Sequence, residues 1–464
     1  MSSAQGSTGI PASVSRTIFF GCWAAAIALA PSLAVKAVLT APAVLIPLFW
    51  WTVRKPGRWI ALFLASALLL PPLPIPIGDS GPHPSLLLAA IGLWSGMIWL
   101  RHWRVDASGA GAALIALFAV LLASAGLAAF HSGTIAAAGS LARVALFGIS
   151  LYLFFYAAGS PAEGQPRLRW LYWCAVASAM FACVDFYFQF PAPAGYGPQF
   201  VWLDSGVFRR AQGFFYEAST LGNFCAFFLV MVAVALVRPP AESPVSRRGL
   251  VLGSAVFFAA LMFSYSRASV INVLVASTVF AWLNRRRMQF ARVAASLAVL
   301  IGGGVLLVWK LFPAFAGIYW LRIYASVEYF FTATEGLLSG RLASWRILID
   351  WIAANPWHAL VGIGYKTLPY TDYLGAPVVA DNMYLSLLVE TGIAGLAALV
   401  WLNIAILRSS ARAAGSTDAR RAFYGTWMLC FWTGEAVQMA SGDLLTYWRV
   451  LPVYFWVLAL ALRV

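Results

Sequence analysis

The sequence predicts an all-α protein, a polytopic bundle of about 12–14 transmembrane helices. Three observations carry that prediction. Of the 464 residues, 62% are hydrophobic and only 10% are charged, whereas soluble domains carry about 25% charged residues. Apolar runs recur along the whole length, many long enough to approach or cross a hydrocarbon core about 30 Å thick. The runs are continuous rather than alternating, which argues against a β-barrel. The whole chain, 1–464, reads as a single integral membrane domain.

The first apolar run, 17–35, follows a polar N-terminus and lacks a small-x-small cleavage site, so it reads as a retained span. Further spans are expected near 37–53, 59–77, 85–100, 109–130, 138–158, 170–190, 217–237, 250–265 and 268–284. The last two of these flank the stretch "SYSR" (264–267). Runs at 293–312, 381–407, 422–440 and 449–463 complete the set. One group of loops is basic: "RKPGR" (54–58), "RHWR" (101–104), "RLR" (167–169), "RPPAESPVSRR" (238–248), "RRRMQFAR" (285–292) and "RSSARAAGSTDARR" (408–421). With Arg16 and Arg463 these hold roughly 20 of the 31 Lys and Arg residues. All fall on one side, with an even number of spans between them. The positive-inside rule makes that side, and both termini, cytoplasmic. The formal charge of +15 follows from this bias and requires no nucleic-acid partner.

Two connections on the opposite side are long, 191–216 and 313–380. The second is too polar and too broken by Pro and Gly to span. Its stretch "FPAFAGIYWLRIYASVEYFF" (312–331) has the aromatic content expected near lipid headgroups. Residues 340–354 predict a surface helix, with Leu342, Trp345, Ile349 and Ile352 on one stripe and Pro356 just past its end. Such a helix lies on the membrane or caps the bundle. The five cysteines, Cys22, Cys174, Cys183, Cys225 and Cys430, fall in or near apolar runs and form no C-x-x-C pair, so they read as small hydrophobes.

The outer side and the spans also hold Arg143, Arg209, Arg210, Arg267, Arg341, Arg346, Lys366 and Arg449. Ionisable groups there are costly and are either functional or paired. Arg346 and Asp350, at i, i+4, read as a helix pair. Arg209, Arg210 and Arg267 have no acid at helical spacing, only Asp204 in the loop of the first two. The planar arginine fork matches phosphate oxygens, so converging outer arginines suit a lipid-linked phosphate or diphosphate. There is no G-x-x-x-x-G-K-[ST] loop and no Asp-x-Asp pair, and His83, His102, His131 and His358 are scattered. No nucleotide or metal cofactor is therefore expected, and arginine must stabilise a departing phosphate. Glu217, Asp381 and Asp185 lie at the outer boundary as candidate general bases. Each also suits a plainer role: a helix cap for Asp381 with Asn382, a first-turn charge for Glu217, or an arginine partner. Glu390 and Glu435 fall within spans and read as structural, or as paired to a buried arginine.

Four stretches carry a family likeness: "RRAQGFFYEASTLGNFCAFFL" (209–229), "SYSRASVINVLVA" (264–276), "SGRLASWRILIDWIAANPWHALVGIGYKT" (339–367) and "ADNMYLSLLVETGIAGLAALV" (380–400). In order and sidedness they resemble the O-antigen ligase and O-antigen polymerase superfamily of bacterial inner-membrane glycosyltransferases. The matching features are Arg210 to Gly213, Ser266-Arg267, Arg341 with Trp345, Gly362-Ile363-Gly364, Asp381-Asn382, and Glu390 with Gly392 and Gly395. The resemblance covers roughly residues 200–400. It implies a GT-C-like helical fold and an undecaprenyl-diphosphate-linked saccharide donor. It also implies inverting transfer at the periplasmic face with neither nucleotide sugar nor metal. The arginines matching Arg210 and Arg267 are implied to hold the diphosphate, with Arg341 as a third contact. Arg209, Tyr265, Trp345, Asn382 and Lys366 join the expected substrate-binding set, and Asp381, Glu217 and Arg267 the catalytic one. Ligases that act on lipid A–core typically carry a histidine where this sequence has Asp381. That departure favours a polymerase of O-antigen or exopolysaccharide repeat units, with the ligase as the alternative. A polysaccharide or lipid-linked-sugar transporter is the competing class, but no inverted repeat is found and the 313–380 loop exceeds a carrier's need. The partners implied are the lipid-linked oligosaccharide, membrane lipids and polysaccharide-assembly proteins such as a chain-length regulator.

Overall fold

The computed structural model describes residues 12–73, 81–104, 108–191, 196–203, 206–239, 243–285, 341–371 and 377–463, with scattered positions at 309–324 and 374–375. The expected span at 293–312 and most of the aromatic stretch 312–331 lie outside the described residues.

The architecture is all-α, as the composition predicts. In chain order the bundle contains α1 (Ala12–Leu29), α2 (Leu33–Val53), α3 (Arg58–Leu69), α4 (Pro84–Trp99), α5 (Gly109–Gly159) and α6 (Leu168–Phe188). After these come α7 (Ala218–Val237), α8 (Arg247–Phe263) and α9 (Arg267–Leu283). Two outer-loop helices follow, α10 (Arg341–Ala354) and α11 (Pro356–Val361), then α12 (Met383–Ala414), α13 (Ala419–Gln438) and α14 (Leu451–Leu462). Among the described residues, five helical stretches are long and apolar enough to cross a membrane: Pro84–His102, α5, α6, α7 and α12.

The bundle is built around α7, which has no charged residue and whose apolar stretch is 78% enclosed by protein. Its Phe227 ring meets Trp427 at 4.3 Å, Tyr454 at 4.4 Å and Phe431 at 4.8 Å, locking α7 to α13 and α14. The Trp427 indole N–H donates to the Phe227 carbonyl at 2.8 Å, so this buried ring leaves no orphaned donor.

Two helices are interrupted by a single glycine, and the second interruption corrects the expected span list. α5 breaks at Gly133 (φ 83°). Its halves fold back as a helical hairpin, with Phe118 stacked on Phe147 and Gly111 against Phe155. The two spans expected at 109–130 and 138–158 are thus joined without a loop. α12 breaks at Gly392 (φ 72°). The expected single span 381–407 is instead a short helix, 383–391, that reverses into a long one. Asn403 in the second half donates to the Tyr384 hydroxyl of the first at 3.3 Å, a meeting that a straight helix rising 1.5 Å per residue forbids.

The two ends of the bundle differ in character. At one end the basic loops touch each other. Lys55 pairs with Glu163 at 3.0 Å, the Arg104 amide donates to the Gly159 carbonyl, Arg421 donates to Ala461, and Arg463 to Ser160. At the other end lie the starts of α7, α9 and α14 and the outer-loop helices. There the 191–216 loop forms a two-stranded hairpin, β1 (Phe200–Leu203) antiparallel to β2 (Gly206–Arg209). α10 forms where expected, but its inward stripe is rotated. Leu348 is fully buried, with Trp351 and Ile352 packed against its cluster, while Ile349 is 55% exposed.

Candidate active site

At the end opposite the basic loops, four segments meet. The first is β2 with the turn after it. The Ala211 amide donates to the Phe263 carbonyl, and Arg210 Nε donates to the Ser264 carbonyl at 2.8 Å. Gly213 (φ 54°) seats this turn on α6, where any Cβ would press on Ala182. The Arg-x-x-Gly spacing thus presents the Arg210 side chain beside the Ser264–Arg267 turn. No hydrogen bond among the described residues engages the two Nη groups of Arg210.

The second segment is that turn. Tyr265 takes a left-handed conformation (φ 51°) and is buried. Ser266 caps α9 through its hydroxyl, so Arg267 opens the helix. The third is α10, docked by Trp345 Nε1 to the Ala380 carbonyl at 2.6 Å and by Arg341 Nε to Asp381 Oδ2 at 3.0 Å. The fourth is the α13–α14 connection, where Asp443 pairs with Lys366 and Tyr447 is buried.

Electrostatics show that these segments share one space. Burial pulls the Arg210 guanidinium below its ordinary value, Tyr447 and Glu217 pull it back up, and Arg341 and Arg267 push it further down. Arg267 and Arg341 act on each other as well. Burial raises the Glu217 carboxyl, Thr220 and Arg210 oppose that rise, and Asp443 and Asp381 add to it. Three arginines, three acids and Tyr447 therefore converge.

The two base candidates sit differently. Glu217 occupies the N-cap position of α7 yet does not cap it. Gln199 Oε1 takes the Ala218 amide instead, at 2.9 Å. Glu217 Oε2 accepts from the Thr220 hydroxyl at 2.6 Å. Asp381 is half exposed and held by Arg341. The cap of α12 is Asn382, whose Oδ1 accepts from the Leu385 amide at 3.1 Å. Tyr216, Tyr265, Lys366 and Asp381 all have φ between 45° and 57°. Non-glycine residues in that region cost on the order of 1–3 kcal/mol each and cluster at functional sites.

Other expected residues lie elsewhere or are engaged structurally. Arg209 turns away from Arg210 and pairs with Asp185 at 3.4 Å, fixing the hairpin to α6. Arg449 is buried and donates to the carbonyls of Ala67, Leu70 and Phe214, closing the C-terminal end of α3. Arg143 reaches the Tyr370 hydroxyl. Glu390 lies at the α12 break, its Oε1 accepting from the Leu368 amide at 3.3 Å. Asp443 and Tyr447 were not singled out from the sequence. The signal was present: "ASGDLLTYWR" (440–449) puts an acid, a phenol and an arginine into one short outer connection. Among the described residues no group of three His, Cys, Asp or Glu side chains could hold a metal ion.

Residues 252–400 match the family model described as Wzy_C, O-antigen ligase. Over these residues, about a third of the chain, the protein is similar to the O-antigen ligase family. The similarity supports the O-antigen ligase and polymerase superfamily, whose activity is of the glycosyltransferase type. No curated protein matches the chain. The Wzy_C segment carries Arg267, Arg341, Trp345, Lys366, Asp381 and Asn382. Arg210 and Glu217 come from before it, Asp443 and Tyr447 from after it. The convergence therefore unites the Wzy_C segment with flanking chain that the match does not cover.

Proposed function

We propose that this protein is a polymerase of O-antigen or exopolysaccharide repeat units at the periplasmic face of a bacterial inner membrane. The basic end of the bundle is the cytoplasmic one. The donor is a glycan on undecaprenyl diphosphate, reaching the site from the bilayer. The observation that carries this reading is the convergence of Arg267, Arg341 and Glu217 on Arg210, which itself bonds the Ser264 carbonyl beside Arg267. Neighbouring guanidinium forks match the oxygens of a diphosphate.

In the reaction the acceptor hydroxyl oxygen bonds to the anomeric carbon as the bond from that carbon to the diphosphate oxygen breaks. The hydroxyl proton passes to a carboxylate, and the negative charge released on the diphosphate is held by the arginines. Glu217 stands ahead of Asp381 as that base. Asp381 is already engaged by the Arg341 guanidinium, whereas burial makes Glu217 hold a proton more readily. Arg267→Ala is expected to abolish chain extension in cells with protein level retained, a loss of about 10²–10³ in rate. Normal polymer length in that strain would sink the assignment.

The description of the matching segment as an O-antigen ligase favours a second reading, transfer of glycan to lipid A–core. Surface polysaccharide from a deletion strain separates the two. Single repeats on lipid A–core indicate polymerase loss, and bare core with glycan left on the carrier lipid indicates ligase loss.

A further inference from the structure

Beneath the site lies a second polar cluster that the reaction does not use. It is enclosed by α7, α9, α13 and α14. Asn223 and Asn272 each spend both amide hydrogens on the same two acceptors, Glu435 Oε2 and Gln438 Oε1. The Tyr454 hydroxyl donates to Asn223 Oδ1. All five side chains are buried, none above 3% exposed. The carbonyl oxygen of Asn272 has no partner among the described residues, and polar groups at hydrocarbon depth are costly to keep.

This knot is connected upward. Gln438 Nε2 donates to the Ser269 hydroxyl at 3.4 Å, and Ser269 shares a hydrogen bond with the Ser266 hydroxyl at 2.8 Å. Ser266 is the cap of α9, the residue before Arg267. On its other flank the serine turn is pressed by Gly222 of α7, where a Cβ would lie 2.7 Å from Ser266 Cβ and 2.8 Å from Ser269 Oγ. Three of the four helices tied by the knot lead outward to a site residue at or just past their ends. Asn223 lies below Glu217, Asn272 below Arg267, and Gln438 below Asp443.

We propose that Gln438, acting through Ser269 and Ser266 on the Asn223–Asn272–Glu435 knot, is a positioning residue that sets where Arg267 meets the diphosphate. The knot fixes the relative height of four helices, and the serine link carries that register to the cap of α9. The inference rests on the glycosyl-transfer reading for its catalytic readout, and inorganic pyrophosphate supplies a readout free of it. Pyrophosphate carries the full charge of the leaving group, so its affinity reports the same contacts as the transition state.

The test uses the full chain in lipid nanodiscs with a lipid-diphosphate oligosaccharide. Ser269→Ala removes one hydroxyl, and Gln438→Leu removes the amide that it serves. For both, kcat is expected to fall about tenfold with donor KM unchanged within about twofold. Pyrophosphate dissociation constants should rise about tenfold, with the thermal unfolding midpoint of Ser269→Ala retained. Ser269→Thr, which keeps the hydroxyl, should restore both. In an Arg267→Lys background the same substitutions should cost nothing further, because the group they position is already altered. Equal losses in both backgrounds, or unchanged kcat and pyrophosphate affinity, would overturn the proposal. A wild-type protein that transfers no glycan yet shows the non-additive pyrophosphate effect would sink the function proposed above and leave the positioning role standing.

Discussion

Glu217 feels the charge of Asp381, yet the two keep different company. Glu217 has a threonine hydroxyl and the field of Arg210; Asp381 has a guanidinium in contact. A base must be ionised to accept a proton. With Glu217 as base, kcat/KM rises with pH through a midpoint lifted by burial above the ordinary value of about 4.3 for glutamate. Glu217→Gln should lower the rate by about 10²–10⁴ and erase that limb. The neighbours move it in opposite directions. Asp443 raises the Glu217 carboxyl and Arg210 lowers it, so Asp443→Asn should shift the acid limb to lower pH. Residual activity of Arg210→Gln should show it at higher pH. Shifts of the opposite sign would remove Glu217 from the role. Residue types and spacing made the arginines and acids legible in the sequence, but not their pairing. Arg209 and Arg210 are adjacent and equivalent on paper. Strand alternation sends one to Asp185 and the other to the Ser264 turn, because successive side chains leave a strand on opposite faces.

The Gly-x-Gly at 362–364 and the glycines after Glu390 belong to one construction. Gly364 and Ile363 donate their amides to the carbonyls of Glu390 and Val389, which the break at Gly392 leaves without helical partners. The fit is close. A Cβ on Gly362 would collide with the Glu390 backbone, one on Gly392 with Leu360, and one on Gly364 with Ala128. Gly362→Ala, at φ 80°, is expected to cost about 3 kcal/mol, read as a lowered thermal unfolding midpoint with transfer lost in parallel. A milder change nearby should act on binding alone. Trp345→Phe removes the hydrogen bond to Ala380 and loosens α10, so the donor KM should rise while the unfolding midpoint holds. The helices were legible here, and α10 appears at its expected position. The breaks were not. A single glycine in an apolar run is compatible with a continuous helix, and only the chain crossing over it decides otherwise.

Over the whole molecule, alternation of direction gathers the basic loops at one end and the arginine site at the other. That segregation was the most legible feature of the fold, because it follows from counting spans and charges rather than from any contact. It can be checked directly. Ile349→Cys, exposed on α10, should react with a membrane-impermeant maleimide in intact spheroplasts. Ser416→Cys, in the α12–α13 turn, should react only after permeabilisation, with the wild-type chain as the background reading. The reverse pattern would invert the topology and put the site in the cytoplasm. What counting spans could not provide was the assembly of the site. Its parts are brought together by helix packing across more than two hundred residues of sequence, from Arg210 to Tyr447, and no local pattern encodes that distance.

The reversal at Gly392 also bears on how the chain is made. Carbonyls bared by the break have no water to turn to in hydrocarbon. The short helix 383–391 is too brief to cross a bilayer by itself. Their partners, the amides of 363–364, precede them in the chain. The α5 hairpin, with Ser124 donating to the Glu390 carbonyl at 3.0 Å, must already be in place beside them. Insertion of α12 is therefore expected to end in docking onto a seat built from chain that precedes it.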